Sequence, residues 1–135
     1  MELRLFTVDE ANRLLVQLEI TLGRLRRRRE ALLRVLVEIE VLQTGADDPQ
    51  DGSDRSAQIS SCQRDVERRR REIAALSRDL RAMGVVVRDP DAGLVDFPAV
   101  VNGSAAYLCW RIGEREVAHW HGPDEGFAGR QPLPT

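Results

Sequence analysis

The first proline in this chain is Pro49, and ahead of it lies the feature that most narrows the possible folds, an apolar heptad. Ala11, Leu18, Leu25, Leu32 and Ile39 stand seven residues apart, Leu14, Val35 and Leu42 supply much of a second row, and Leu15, Leu22 and Leu36 widen the stripe. A repeat of this spacing keeps one side of a helix apolar over its whole length and makes a coiled-coil-like seam. Thr7-Val8-Asp9-Glu10 marks the start. A threonine hydroxyl there takes the amide three residues on, the glutamate reaches back to the cap, and the acids suit the positive end of the helix dipole. The pattern predicts a helix from about Val8 to Leu42, on the order of 50 Å long at ~1.5 Å per residue.

Residues 44–53, TGADDPQDGS, are a polar breaker that turns the chain. A second helix is expected over about 54–83, capped by Ser53 or Asp54. Its seam runs through Ile59, Cys62, Val66, Ile73, Leu76, Leu80 and Met83, interrupted by Arg69, and Gly84 is placed as the terminating glycine. Residues 1–84 thus read as a long antiparallel two-helix hairpin. Two helices leave apolar surface uncovered, so a further layer must come from the C-terminal segment or from a second copy.

After Gly84 the period changes to two and valine dominates. Val85 to Arg88 and Leu94 to Phe97 read as strands around the turn Asp89-Pro90-Asp91-Ala92-Gly93, with Pro98 as a stop and Asn102-Gly103-Ser104 as another turn. Tyr107 to Ile112 and Arg115 to His121 are expected to pair around a type II′ turn at Gly113-Glu114. In that register Leu108 opposes His119. Leu108, Trp110, Ile112, Val117, His119 and His121 share the face that packs on the helices, and Cys109 lies on the other with Tyr107 and Arg111. The expected class is α+β: a coiled-coil-like hairpin followed by a small, mostly antiparallel sheet. Residues 85–135 form a β module with a C-terminal tail, packed as one unit with the helices.

Composition removes several functional classes. A net charge of −2 gives no global attraction to nucleic acid or anionic membrane. The arginine clusters are offset by nearby acids and accompany no nucleic-acid recognition motif, so neither DNA nor RNA is an expected partner. All 20 basic residues are arginine, as a GC-rich coding sequence produces without any functional demand. No apolar run approaches the ~20 residues that span a bilayer, and no signal segment opens the chain. A soluble, cytoplasmic protein with no membrane partner is expected. The 2 cysteines, Cys62 and Cys109, form no metal-binding or redox pair by spacing.

The unusual chemistry gathers between Ala106 and Gln131, which holds Trp110, Trp120, His119, His121, Tyr107 and Cys109. His119 and His121, two apart on a strand, point to one side and can share a divalent metal, with Asp124 as a third ligand. Asp89, Asp91, Asp96, Asp124 and Glu125 are acidic candidates, though turn aspartates ordinarily bond local amides. Asp96 differs because Val95 and Phe97 flank it, so a buried carboxylate there needs a donor, Arg111 or Arg130. His121, Asp96, Arg111 and Arg130 are therefore the candidate polar site. Gly126 to Arg130 resembles an anion cradle but lacks the helix that would complete one. In the hairpin, levelling the helices about the loop brings Arg28 and Arg69 together as a candidate anion site. Nearby Glu30, Asp65, Glu67 or Glu72 would otherwise neutralise them.

Three stretches carry a family resemblance: Gly93-Leu94-Val95-Asp96-Phe97-Pro98, Tyr107-Leu108-Cys109-Trp110-Arg111-Ile112-Gly113-Glu114, and Trp120-His121 with Gly126-Phe127-Ala128-Gly129-Arg130-Gln131-Pro132. With the opening Phe6-Thr7-Val8-Asp9-Glu10-Ala11-Asn12, they resemble the bacterial domain-of-unknown-function family DUF2203 over nearly the whole chain. His119 departs from that family's pattern. The resemblance implies no activity, cofactor or catalytic residue. The residues themselves favour a structural, protein-interaction module that self-associates as a homodimer through its hairpin and presents the sheet to an unknown protein. The alternative is a small metal- or anion-binding enzyme with its site at the sheet–helix junction.

Overall fold

The computed structural model describes residues 3–45 and 52–134. Helices α1 (Val8–Arg13), α2 (Leu15–Thr44) and α3 (Gly52–Ala82) come first. Strands β1 (Val86–Asp89), β2 (Leu94–Val101), β3 (Ser104–Arg111), β4 (His119–His121) and β5 (Gln131–Pro132) follow, with a 3-10 turn at Phe127–Gly129. Two long packed helices thus precede an antiparallel meander in which each strand pairs with the next, and the α+β expectation holds. The polar breaker lies largely outside the described residues, at 46–51.

Thr7 caps α1 as its sequence requires. Its hydroxyl accepts the Glu10 amide at 3.1 Å, and the Glu10 carboxylate accepts the Thr7 amide at 3.1 Å. The first helix is divided at Leu14, whose N–H bonds Ala11, three residues back, at 3.1 Å. The start of α3 at Gly52 places Ser53 and Asp54 inside its first turn, not at its cap. Gly84 ends α3 at φ +86° and donates to the Arg81 carbonyl at 2.9 Å. Only a residue without Cβ adopts that conformation freely.

The described chain divides into two compact units, one of residues 3–23 with 77–134 and one of residues 24–45 with 52–76. In the first unit the sheet has one apolar face. Val95 pairs with Trp110, Phe97 with Leu108 and Ala99 with Ala106, and all six are buried. Phe6 meets Phe97 edge-on, with ring centroids 5.2 Å apart. Trp110, Phe97, Leu18, Leu22, Leu108 and Val95 are the largest fully enclosed side chains. Each contributes about 1.5–3 kcal/mol relative to exposure. The Trp110 indole stays satisfied by donating to the Glu114 carbonyl at 3.0 Å.

Two expectations for the sheet are overturned. Pro98 does not stop β2, which continues to Val101. The Pro98 carbonyl accepts the Phe6 N–H at 2.8 Å. Since N–H and C=O of a strand residue face the same edge, the missing proton falls on that side and costs no rung to β3. The second correction concerns the β3–β4 connection. Gly113-Glu114 is not a two-residue turn, because residues 112–118 make an irregular excursion between the strands. Arg111 N–H bonds the Glu114 side chain at 2.7 Å, and Val117 N–H bonds Asn12 Oδ1 at 2.7 Å. The resulting register pairs Leu108 with Trp120 and Cys109 with His119, one residue off the expected one. A slip of one transfers a whole set of side chains to the opposite face. His119 and His121 therefore join Cys109 and Asp96, away from the Trp110 face.

In the second unit, Arg28 Nε reaches Glu72 at 3.4 Å and Arg55 donates to the Gly45 carbonyl at 2.7 Å, tying the two helices of the hairpin. Leu25, Val35 and Val66 are buried, whereas Leu33, Leu36, Val37 and Val41 of α2 are exposed. No helix among the described residues is long and apolar enough to cross a membrane.

Candidate functional site

The second face of the sheet concentrates the polar chemistry of the first unit. Asp96 on β2 sits directly across from Cys109 on β3, and Tyr107 sits across from His121 on β4. Asp96, Cys109 and His121 are all buried, and one ligand-capable atom from each lies within 4.8 Å of the others. His121 Nε2 is 2.9 Å from both Asp96 carboxylate oxygens, while Nδ1 is 2.8 Å from the Gly122 carbonyl. A carbonyl oxygen can only accept, so Nδ1 carries a proton and Nε2 is the nitrogen aimed at Asp96.

Asp96 finds its guanidinium on β1. Arg88 Nε donates to Oδ2 at 2.8 Å, and this bond holds the Arg88 guanidinium above its already high ordinary pKa. The expected donors, Arg111 and Arg130, lie elsewhere. Arg130 forms two parallel bonds to Glu114, at 3.0 and 2.9 Å, and stacks 4.2 Å above the Phe127 ring. Arg111 is exposed, 6.0 Å from the same ring. Burial would raise the Glu114 pKa, but the Arg130 bonds and the Arg111 amide outweigh it and hold the carboxyl below its usual range. Of the four expected polar residues, Asp96 and His121 come together, and Arg111 and Arg130 belong to the clamp beside them. Arg88 was reachable by pairing the two strands around the Asp89–Gly93 turn, a hairpin whose register sequence spacing alone leaves free.

Cys109 completes the group. Burial first, and the Asp96 charge second, push its thiol up to about 11, with Arg130 pulling modestly the other way. It is no free nucleophile at neutral pH. Of the expected metal set, His121 is in the buried cluster, while His119 and Asp124 are outside it. Asp124 lines the adjoining cavity of ≈ 320 Å³, whose other walls include Leu94, Pro123, Glu125 and Phe127. That cavity lies under the C-terminal segment, not between sheet and helices. A wider recess of ≈ 600 Å³ opens near Phe6, Val8, Val101, Leu108, Val117 and Leu133, with Glu116 the ionisable residue in its lining.

Of the remaining acids, Asp89 bonds the amides of Asp91 and Ala92 at 3.0 Å each, as a turn aspartate does. The two residues of the candidate anion pair, Arg28 and Arg69, each have an acidic partner. Arg28 is level with Glu72, and Arg69 bonds Asp65 at 3.3 Å, so a carboxylate answers each guanidinium.

The fold and this site define an α+β protein with a helical hairpin and a five-stranded meander whose second face buries an Asp–His–Cys group. The family model described as uncharacterized conserved protein (DUF2203) matches residues 4–133, and the chain belongs to that family. Comparison with curated proteins and with solved structures gives no match.

Proposed function

We propose that this protein is a structural, protein-interaction module that self-associates through its helical hairpin. The observation carrying the reading is the exposed stripe Leu33, Leu36, Val37 and Val41 on α2. These residues recur at three- and four-residue spacing, so they line one side of the helix over more than two turns. Leu33, Val37 and Val41 are each more than half exposed. Two helices cannot bury a second stripe by themselves, whereas two hairpins pairing as a four-helix bundle can.

A second copy fits better than an arbitrary partner. A twofold interface sets the same patch against itself and so requires self-complementarity. The stripe is bordered by charges of both signs, Glu30, Arg34, Glu38 and Glu40 on α2, and Glu30 and Arg34 already pair at 3.1 Å. Arg34 of one copy can then meet acids of the other.

Sedimentation equilibrium at micromolar concentration tests the proposal. The wild-type chain is expected at twice its monomer mass, and Val37→Glu with Val41→Glu is expected at monomer mass with its helical circular dichroism intact. A wild-type chain that sediments as a monomer throughout that range refutes self-association.

A further inference from the structure

Taken one at a time, Asp96 is a carboxylate with a counter-ion, Cys109 a small buried thiol and His121 a bonded imidazole. What that account leaves unexplained is their convergence. Three different donor types from three adjacent strands place their ligand atoms within 4.8 Å of each other, buried, at the wall of a ≈ 320 Å³ cavity.

The surroundings already hold these groups as metal ligands are held. A ligating imidazole ordinarily donates its second N–H to a carbonyl or carboxylate, which fixes the tautomer. His121 Nδ1 does so to the Gly122 carbonyl at 2.8 Å, leaving Nε2 directed at the cluster. A ligating carboxylate is ordinarily oriented by a further hydrogen bond. Arg88 supplies it on Oδ2, and both carboxylate oxygens lie 2.9 Å from His121 Nε2. Tyr107 fixes the imidazole plane from the neighbouring position, ring centroids 5.5 Å apart, and Arg88 in turn lies 4.9 Å over the Tyr107 ring.

We propose that Asp96, Cys109 and His121 form a binding site for Zn²⁺, with the fourth position open to the cavity. The donor set chooses the ion. Imidazole and thiolate suit zinc and disfavour the hard ions Mg²⁺ and Ca²⁺, which take oxygen ligands. Three protein ligands with a fourth position left to water are the arrangement of zinc sites that act on a substrate, whereas purely structural sites close with four. Asp124 and Glu125 line the same cavity. Binding requires Cys109 Sγ and His121 Nε2 free of protons, and any proton they carry leaves to solvent as the ion binds. The positive charge of the ion then sits between the Asp96 carboxylate and the Cys109 thiolate.

The test uses tag-free full-length protein, loaded with Zn²⁺ or Co²⁺ and passed through gel filtration. One ion per chain is expected, and the Co²⁺ form is expected to show a thiolate-to-cobalt charge-transfer band with the intense visible absorption of tetrahedral cobalt. Cys109→Ala, a small change in an already satisfied core, is expected to abolish the charge-transfer band. It should also weaken Zn²⁺ binding more than about 100-fold, beyond what loss of a supporting group costs. Arg88→Met, which touches no ion, is expected to weaken binding about 10-fold while preserving the band. Cys62→Ala is expected to change nothing. Failure of the wild-type protein to retain either ion overturns the site, as does a charge-transfer band that survives Cys109→Ala or disappears with Cys62→Ala. Thermal melts of each variant identify any that has merely unfolded, and the wild-type result decides the matter independently of them.

Discussion

Replacing Gly93 by alanine gives a quantitative probe of how the sheet is closed. Gly93 has φ +71°, and a Cβ built on it would lie 2.2 Å from Ile112 Cγ2 and 2.7 Å from Ile112 Cβ. The same close approach carries a hydrogen bond, Ile112 N–H to the Gly93 carbonyl at 2.9 Å, so Ile112 cannot withdraw without losing it. The left-handed conformation costs an L-residue roughly 1–2 kcal/mol. Forcing a methyl into filled space adds typically ~1–3 kcal/mol. Gly93→Ala is therefore expected to lose about 2–5 kcal/mol, or on the order of 10–20 °C in Tm for a domain of this size. Gly103 separates the two contributions, since it has φ +78° but nothing within 4 Å of its would-be Cβ. Gly103→Ala should lose only the conformational part, about 1–2 kcal/mol. Urea titrations of both variants, with m-values compared to wild type, measure the difference. Equal losses in the two variants would show that the Gly93–Ile112 approach is not a closed contact and would refute the reasoning.

Other expectations follow from the same geometry. Glu114→Gln removes an acceptor from a bidentate, partly buried pair and should cost about 1–3 kcal/mol at neutral pH in chemical denaturation. Because the folded-state pKa of Glu114 lies below the ordinary one, that contribution is complete above the ordinary range near ~4.3 and is lost as the pH falls through the lowered value. The wild-type advantage over Glu114→Gln should accordingly be flat between pH 6 and 8, roughly, and shrink below about pH 4. Thr7→Ala opens the capping box and should cost about 1 kcal/mol, read by the same titration. Iodoacetamide at mildly alkaline pH should label Cys62 before Cys109 in the native protein, and comparable rates would contradict the enclosure of Cys109.

The legibility of this chain divides at the range over which each signal acts. Local chemistry was readable. The Thr7–Glu10 box, the helix stop at Gly84, the Asp89–Gly93 turn and the Asn102-Gly103 turn are each decided within a few residues. Asn102 and Gly103 have φ of +53° and +78°, the positive values that a two-residue hairpin connection demands. Register was not readable, because it is fixed from far away. Val117 is held out of the expected hairpin by Asn12, 105 residues distant, and Pro98 is kept in its strand by Phe6. The site inherited that blindness. Asp96 was identified as a carboxylate needing a donor and His121 as a polar candidate, but their union with Cys109 depended on a one-residue slip. In the hairpin, helix spacing about the loop was enough to name Glu72 and Asp65 among the acids within reach of Arg28 and Arg69, and those two carboxylates are the partners found.

The bond between Asn12 and Val117 also sets a clock for biosynthesis. Its partners are separated by 105 residues of chain, and ribosomes add about 5–20 residues per second, so Asn12 waits on the order of 5–20 s for Val117 to be made. Throughout that interval Ala11, Leu15, Leu18 and Leu22, all enclosed in the finished molecule, lack the later residues that complete their unit. A circular permutant that opens the chain within 46–51 and joins the original ends would synthesise the strands and this amphipathic segment in close succession. Its yield of soluble protein during rapid expression, compared with the parent order, measures how much of the nascent chain is lost to that delay.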